Sequence, residues 1–392
     1  MREYMTVAAT LPEDGAAGAL AGRIWRPDVN GPAIISVRED GVFDITEHAA
    51  TISALADVEN PLSIIHDSKA ECIGDLADIL ANTPEADRDP LQPWLLSPID
   101  LQAVKAAGAT FARPMLERFI AEQDNVAPEK AVIIRAELEK QFNGDLSNLL
   151  PGSEKTLALK TVLVEQNAWS HDLEVALGEE AEIFTKAQPM STIGHGMKAG
   201  LHPRSTLSNP EPEVALLIAG SGRIVGATLG NDITLRDFTN RSPLLLPKAK
   251  DNNASASLGP FIRFFDSFFS LETVRRMEVK LSVLGSDGFK SESSFPMSEM
   301  TRTPEKLVRD MMGTIHQYPD GAILYLGSMY APVQDRNTEG AGFTHKADDI
   351  VTISTPALGS LANLMSSADR AEPWVFGTGA LMHNLAQRGL LA

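Results

Sequence analysis

Cysteine is almost missing from the 392-residue chain; Cys72 stands alone. One cysteine cannot close an internal disulfide, so no oxidative framework holds the fold, and Cys72 itself reads as a small buried hydrophobe. Basic charge is also scarce. Thirty-four Lys and Arg stand against 52 Asp and Glu, a formal net charge of -18. Such a surface repels phosphate backbones and anionic headgroups, which argues against nucleic acid and membrane as partners. No run of about 18 apolar residues is present to span a bilayer. Met1–Leu20 lacks a basic stretch followed by an apolar core. A cytoplasmic setting is therefore expected. Repeats and low-complexity tracts are lacking too, which excludes solenoids and fibrous classes. What remains is a globular composition, 43% hydrophobic and 22% charged. It can bury a large core, and the length allows two or three domains.

Residues 1–92 read as a small α+β domain. Arg23–Arg26 and Ala33–Val37 suit strands, with a turn at Asp28–Gly31. Ile45, Ala49, Ile52 and Leu55 recur at helical spacing, which predicts a helix over Asp44–Val58. Ile73–Ala81 is a further short helix, and Asn82–Pro93 a linker. Residues 93–392 form the second unit. Helices are expected from about Pro114 to Gln123 and over Ala127–Phe142, then loops over Leu146–Lys160. Beyond Ala181 the pattern turns to strands at Glu213–Ile218, Ile224–Leu229, Arg275–Val283 and Ile323–Leu326. Ala219–Gly222 suits a hairpin turn between the first two. Glu305–Thr314 reads as a helix, and Leu361–Met365 as the start of another.

The chemistry concentrates in Asn209-Pro-Glu211-Pro-Glu213-Val-Ala-Leu-Leu-Ile218. Pro210 and Pro212 force an extended backbone. Residues two apart then share a face, so Glu211 and Glu213 project together. Adjacent carboxylates repel unless a cation or a proton lies between them. A hard divalent ion, Mg²⁺ above all, matches all-oxygen ligands. After the hairpin the chain returns through Ile224–Leu229 to Asn231-Asp232, where Asp232 supplies a third carboxylate. The alternative is a solvated acidic strand edge.

These residues resemble the fumarylacetoacetate hydrolase superfamily. The pattern is Glu211-Pro-Glu213, then Asn231-Asp232-Ile-Thr-Leu-Arg236-Asp237, then Lys250 with Leu258-Gly-Pro260, and a later Ser354-Thr355-Pro356 loop. The resemblance runs over roughly residues 95–392. It implies a mixed β-roll catalytic domain, with Glu211, Glu213 and Asp232 holding Mg²⁺ or Mn²⁺, and substrates that are 2-keto acids. Hydrolases of this family carry a His-x-x-Glu pair. Here Glu117 is kept and Pro114 stands at the histidine position. That disfavours activation of water.

The sugar-acid branch, the 2-keto-3-deoxy-pentonate dehydratases, is more similar still. Phe184-Thr-Lys186-Ala-Gln-Pro-Met-Ser191, Gly200-Leu-His202-Pro203, Lys248-Ala-Lys250-Asp-Asn-Asn253 and Gly342-Phe-Thr-His345-Lys346 carry that likeness. It implies a small-molecule keto sugar acid as partner and a metal-dependent dehydration, with 2-keto-3-deoxy-D-xylonate giving 2,5-dioxopentanoate. It also implies assembly as a homodimer or homotetramer. Glu117 and Lys250 are the candidates for proton transfer; Lys250 is either a base whose pKa nearby cations lower or charge balance for the carboxylates. Arg236 and Thr355 are candidates for the substrate carboxylate, Arg236 having a salt bridge to Asp237 or to a metal ligand as its alternative. Lys186 either reaches substrate hydroxyls or partners an acid. His202, His345 and the Phe261–Phe269 cluster read as structural. The same family leaves an acylpyruvate hydrolase or oxaloacetate decarboxylase as alternatives; a non-catalytic keto-acid binding protein is a third.

Overall fold

The computed structural model describes residues 1–67, 69–143, 149–329, 334–336 and 342–391. Among them run β1 (Leu20–Arg26), β2 (Gly31–Arg38), β3 (Gly41–Asp44), β4 (Glu71–Gly74), β5 (Trp94–Leu95), β6 (Ala103–Gly108), β7 (Glu182–Ala187), β8 (Lys198–Leu201), β9 (Ser208–Asn209), β10 (Pro212–Ile218), β11 (Ile224–Asp232), β12 (Thr234–Leu235), β13 (Ala256–Phe264), β14 (Glu278–Leu284), β15 (Lys290–Pro296), β16 (Ala322–Tyr325), β17 (Ile350–Thr355) and β18 (Gly359–Ser367). The main sheet has the order β4-β3-β2-β1-β13-β11-β10-β16-β6-β7, with β5 beside β1. A second sheet runs β15-β14-β17-β18-β8, and β9 and β12 form a short pair. The fold is mixed α+β, as the family resemblance implies. No described helix is long and apolar enough to cross a membrane.

Strand β10 is buried at every residue, because both of its faces are covered. Val214, Leu216 and Ile218 pack with Leu229, Val279, Leu281 and Ile353, between the two sheets. Ala215 and Leu217 face the other way, toward Ile262, Tyr325, Ile52 and Leu55. Each such leucine or isoleucine contributes about 1.5–3 kcal/mol relative to exposure. By the same alternation Glu213, near the start of β10, and Glu211, just before it, continue the row of Ala215 and Leu217 toward the strand's N-terminal end. The carboxylates thus stand at the rim of a rigid, doubly covered strand.

The N-terminal strands join the main sheet directly: Leu20 faces Arg263 and Ala21 faces Ile262 where β1 meets β13. Asp100 adds a second tie. Its carboxylate accepts from Ile52 N at 2.6 Å and Ser53 N at 3.1 Å, capping the helix Ile52–Asp57 from outside. That helix is shorter than the periodicity predicts. The Asp44 carboxylate takes the Thr46 amide at 2.8 Å, and this local turn ends the run before Thr51 caps a new start. Glu71–Gly74 is a strand, with a helix only over Leu76–Ala81. Cys72 lies on that strand at the sheet's end and is exposed, not buried.

Helices Ala112–Val126, Pro128–Phe142, Glu154–Glu165 and His171–Leu177 build their own cluster around Leu116, Ile134, Leu138, Leu159 and Leu163. The third replaces part of the expected loop, capped by the Ser153 hydroxyl; residues 146–148 of that stretch lie outside the described residues. Leu361–Met365 is strand, not helix, because β18 is paired on one side by β17 and on the other by β8. The hairpin after β10 forms as expected, with Gly222 N bonded to Ala219 O.

Candidate active site

Glu211, Glu213 and Asp232 converge, each offering an oxygen within 4.8 Å of the others. Three local features bring them together. The Asp232 amide donates to Glu211 O at 3.0 Å, closing the open end of the β10–β11 pair. The Asn231 side chain accepts the Glu211 amide at 3.0 Å. Glu213 Oε2 accepts the Gly327 amide at 2.6 Å. Gly327 is required there. Its φ is +93°, and a Cβ would lie 2.1 Å from Thr110 Oγ1.

Two lysines close on the same group. Lys250 Nζ donates to Glu211 Oε2 at 2.6 Å and reaches Asp232 Oδ2 at 2.9 Å. Lys186 Nζ lies 3.0 Å from Asp232 Oδ1. It also donates to the Ile233 and Lys250 carbonyls, at 2.8 Å each. Asp232 is therefore gripped by one ammonium on each oxygen. Lys250 also sits over the Phe184 ring, 5.2 Å from its centre.

The electrostatics follow from this packing. Burial pushes the Glu213 carboxyl well above its ordinary pKa, and the charges of Asp232 and Glu211 push the same way. Glu211 is also raised by burial, with Lys250 opposing. Asp232 moves down, because the two lysines outweigh its burial. For Lys250, burial works against the ammonium, but the Asp232 and Glu211 charges prevail and raise its pKa. Lys250 is thus held protonated here, the charge-balance reading rather than the lowered-pKa one. Three carboxylates face two ammoniums, which leaves one negative charge without a partner. An all-oxygen set with excess negative charge fits a hard divalent cation such as Mg²⁺. In its place a proton on Glu213 relieves the repulsion.

The other expected residues are spread more widely. Lys186 is fully buried and its ammonium faces four acceptors of its own chain, the Ser255 hydroxyl being the fourth at 3.5 Å. Thr355 ends β17; it is buried, and its hydroxyl lacks a partner among the described residues. Arg236 begins the short helix Arg236–Thr239 and is exposed. Asp237 beside it accepts from Ser205 Oγ at 2.7 Å and Thr206 N at 3.2 Å. Glu117 lies on the helix Ala112–Val126, its side chain 62% exposed, 3.9 Å from Arg113. Arg113 also pairs with Glu299. Of the proton-transfer pair, only Lys250 touches the carboxylates in this arrangement. His345 is buried, with its Nδ1 3.3 Å from the Asp349 carboxylate.

Tyr325 also belongs to the site's surroundings, beside Asp232 and Glu213. Its hydroxyl donates to Ser257 O at 2.8 Å. Its ring fills the space above Gly230, where a Cβ would lie 2.3 Å away. Burial, with the Asp232 and Glu213 charges, holds its phenol protonated. Nothing in the local pattern of Ala322–Tyr325 distinguishes it from an ordinary core aromatic. Gly327 shared that obscurity, since its role depends on a strand distant in sequence.

A family model described as fumarylacetoacetate (FAA) hydrolase C-terminal matches residues 158–366. That is more than half of the chain, and the protein belongs to this family. One curated relative is the 2-dehydro-3-deoxy-D-arabinonate dehydratase of Saccharolobus solfataricus, 29% identical over 180 residues, 46% of this chain and 57% of the relative. Another is a probable 2-keto-3-deoxyxylonate dehydratase of Haloferax volcanii, 28% identical over 190 residues, 48% of this chain and 61% of the relative. The match thus spans about six-tenths of either relative's length. Among solved structures, a hexagonal crystal form of 2-keto-3-deoxyarabinonate dehydratase superposes with a TM-score of 0.61 at 19% identity, covering 90% of this chain and 100% of that one. A 2-keto-3-deoxy-D-arabinonate dehydratase complexed with magnesium and 2,5-dioxopentanoate superposes at 0.59, with the same identity and coverage. At that identity the likeness establishes the fold.

Proposed function

We propose that this fumarylacetoacetate hydrolase family member is a Mg²⁺-dependent dehydratase. Its substrate would be a 2-keto-3-deoxy-pentonate, foremost 2-keto-3-deoxy-D-xylonate, and its product 2,5-dioxopentanoate. The observation that carries this reading is the triad Glu211, Glu213 and Asp232 with one negative charge in excess. It stands on the fold of a dehydratase solved with magnesium and 2,5-dioxopentanoate. The two curated relatives, both named as dehydratases of such acids, support it.

Magnesium held by the triad would supply Lewis-acid charge that acidifies C3–H of a 2-keto acid. The chain's own groups would then move the protons. Lys250, already on two of the carboxylates, holds protons at the site's edge. We assign it jointly with Glu117, the retained carboxylate of the family's His-x-x-Glu pair. One group takes the C3 proton, and the other protonates the C4 hydroxyl, which leaves as water. Loss of water leaves a C3–C4 double bond with the C5 alcohol intact; a proton moved from C5 to C3 then gives the C5 enol, which tautomerises to the aldehyde. Such acid–base help contributes roughly 10²–10⁴ in rate. Thr355, with its buried spare hydroxyl, and Arg236 are proposed to bind the substrate carboxylate. Lys186 acts on Asp232 and not on substrate. The family reading carries a homodimer or homotetramer with it, which sedimentation velocity measures.

The test is incubation of purified protein with 2-keto-3-deoxy-D-xylonate and Mg²⁺, and with the D-arabinonate isomer in parallel. Dioxopentanoate is expected from at least one, and EDTA should abolish it. No product from either, or product indifferent to EDTA, would refute the reading.

A further inference from the structure

A cavity of about 340 Å³ opens where the N-terminal strands, the loop before β8 and the segment 372–376 meet. That volume lies within the range of small-molecule sites. Neither the three carboxylates nor Lys186 and Lys250 line it. Aromatic residues make up only 6% of the chain, yet three of its four tryptophans, Trp25, Trp94 and Trp374, come together here with Phe376 and Met190. Trp25 and Trp94 stack at 5.8 Å, and Phe376 meets the Trp25 ring edge-on at 5.1 Å. The walls are therefore flat, apolar and held against one another.

One polar group in this cavity is poorly satisfied. Arg23 is 5% exposed and lines the cavity from β1. Its Nη1 donates to the Ser97 and Ile99 carbonyls. Its Nη2 faces the Met190 thioether, Sδ at 3.8 Å, a weak acceptor for a buried guanidinium. The nearby Asp100 lies 3.8 Å from Nε and already accepts the Ile52, Ser53 and Leu101 amides. The cavity's other cations are occupied, Arg88 with Glu372 and Lys198 with Glu85. A carboxylate is the partner that an unfilled guanidinium edge binds best.

We propose that this cavity is a second small-molecule site, built for a monocarboxylate with a planar apolar body. The carboxylate would meet Arg23 Nη2, and the body would lie against Trp25, Trp374 and Phe376. A keto sugar acid, hydroxylated along its length, does not suit such walls, so this ligand differs from the substrate proposed above.

Phenylacetate is the probe and 2-phenylethanol its uncharged counterpart. Each is titrated into the full chain in EDTA, and tryptophan fluorescence is read, since three of the four tryptophans line the site. Phenylacetate should give a saturable change and bind at least about tenfold tighter than the alcohol, the gain of a charge-assisted contact. Arg23→Met should bring the two probes to equal affinity. Arg23 also ties two backbone carbonyls, so circular dichroism checks that variant's fold. Trp374→Ala, at a half-exposed position, should weaken phenylacetate about tenfold with the fold intact. No saturable signal from phenylacetate, equal binding of the alcohol by the unaltered chain, or undiminished binding in Trp374→Ala would each overturn the proposal.

Discussion

Replacing Lys186 by Met separates two roles for this residue by experiment. The side chain keeps its length and apolar stem but loses its ammonium. Four contacts are then lost: the 3.0 Å ion pair to Asp232 Oδ1, the 2.8 Å bonds to the Ile233 and Lys250 carbonyls, and a 3.5 Å contact to Ser255 Oγ. All of this lies in a fully buried setting. Removing one partner of a buried ion pair costs about 3–5 kcal/mol. Lys250 remains on the other Asp232 oxygen and offsets part of that, so the lower end is expected. At about 2.1 cal/mol/K per residue, a chain of 392 residues shifts roughly 1 °C per kcal/mol, so the melting temperature in EDTA should fall by about 4 °C. The site then carries one more uncompensated negative charge. Magnesium should therefore raise the variant's Tm by more than it raises that of the unaltered protein. The assay is differential scanning fluorimetry with EDTA and across a magnesium titration. A variant with unchanged Tm in EDTA but a raised KM would refute the reasoning, because that is the signature of a lysine that binds substrate.

Glu213, raised above the ordinary glutamate pKa of 4.5, binds a proton more tightly folded than unfolded. In EDTA, stability should therefore fall as pH rises from about that value through the raised one, and saturating magnesium should flatten the loss; parallel melts at several pH values check both. His195 moves the other way. Burial lowers it from 6.5 to about 4, and its Nδ1 accepts the Ala362 amide at 2.9 Å, which a protonated ring cannot do. Stability present above pH 6.5 should be lost toward pH 4, by about 3 kcal/mol, and His195→Gln should flatten that slope in urea unfolding. Gly327→Ala forces a Cβ onto Thr110 Oγ1 at positive φ. It should cost about 1–3 kcal/mol and weaken magnesium binding by calorimetry, through the lost amide on Glu213.

Much of the site was legible along the chain because its key spacing is local. Pro210 and Pro212 force an extended backbone, and an extended backbone alone sets Glu211 beside Glu213. The turn at Gly220–Gly222 brings Asp232 back, as the β10–β11 register confirms. The apolar run after Glu213 reads as a strand, and β10 is one; that both of its faces are covered comes from the fold. Where the periodicity was short, the reading failed. Leu361–Met365 has too few residues to tell helix from strand, and only its neighbours β17 and β8 decide. Cys72 was placed inside by its residue type, whereas the position of β4 at the end of the sheet exposes it.

Alone, the sequence determined the three carboxylates and their proximity, which depend on backbone geometry within one hairpin, and its ordered motifs from Glu211 to Pro356 carried the family resemblance. Tertiary structure decided everything that balances those charges. Lys186 and Lys250 come from β7 and from the end of the short helix Leu246–Lys250, and they meet on Asp232 at the end of β11 only in the folded chain. The Gly327 amide reaches Glu213 from the far end of β16. Ion pairs and hydrogen bonds of this kind act over about 3 Å in space. No local spacing sets such contacts between residues 18 to 114 apart; the family resemblance offered Lys250 as charge balance and Lys186 as an acid's partner, and the fold supplies both contacts.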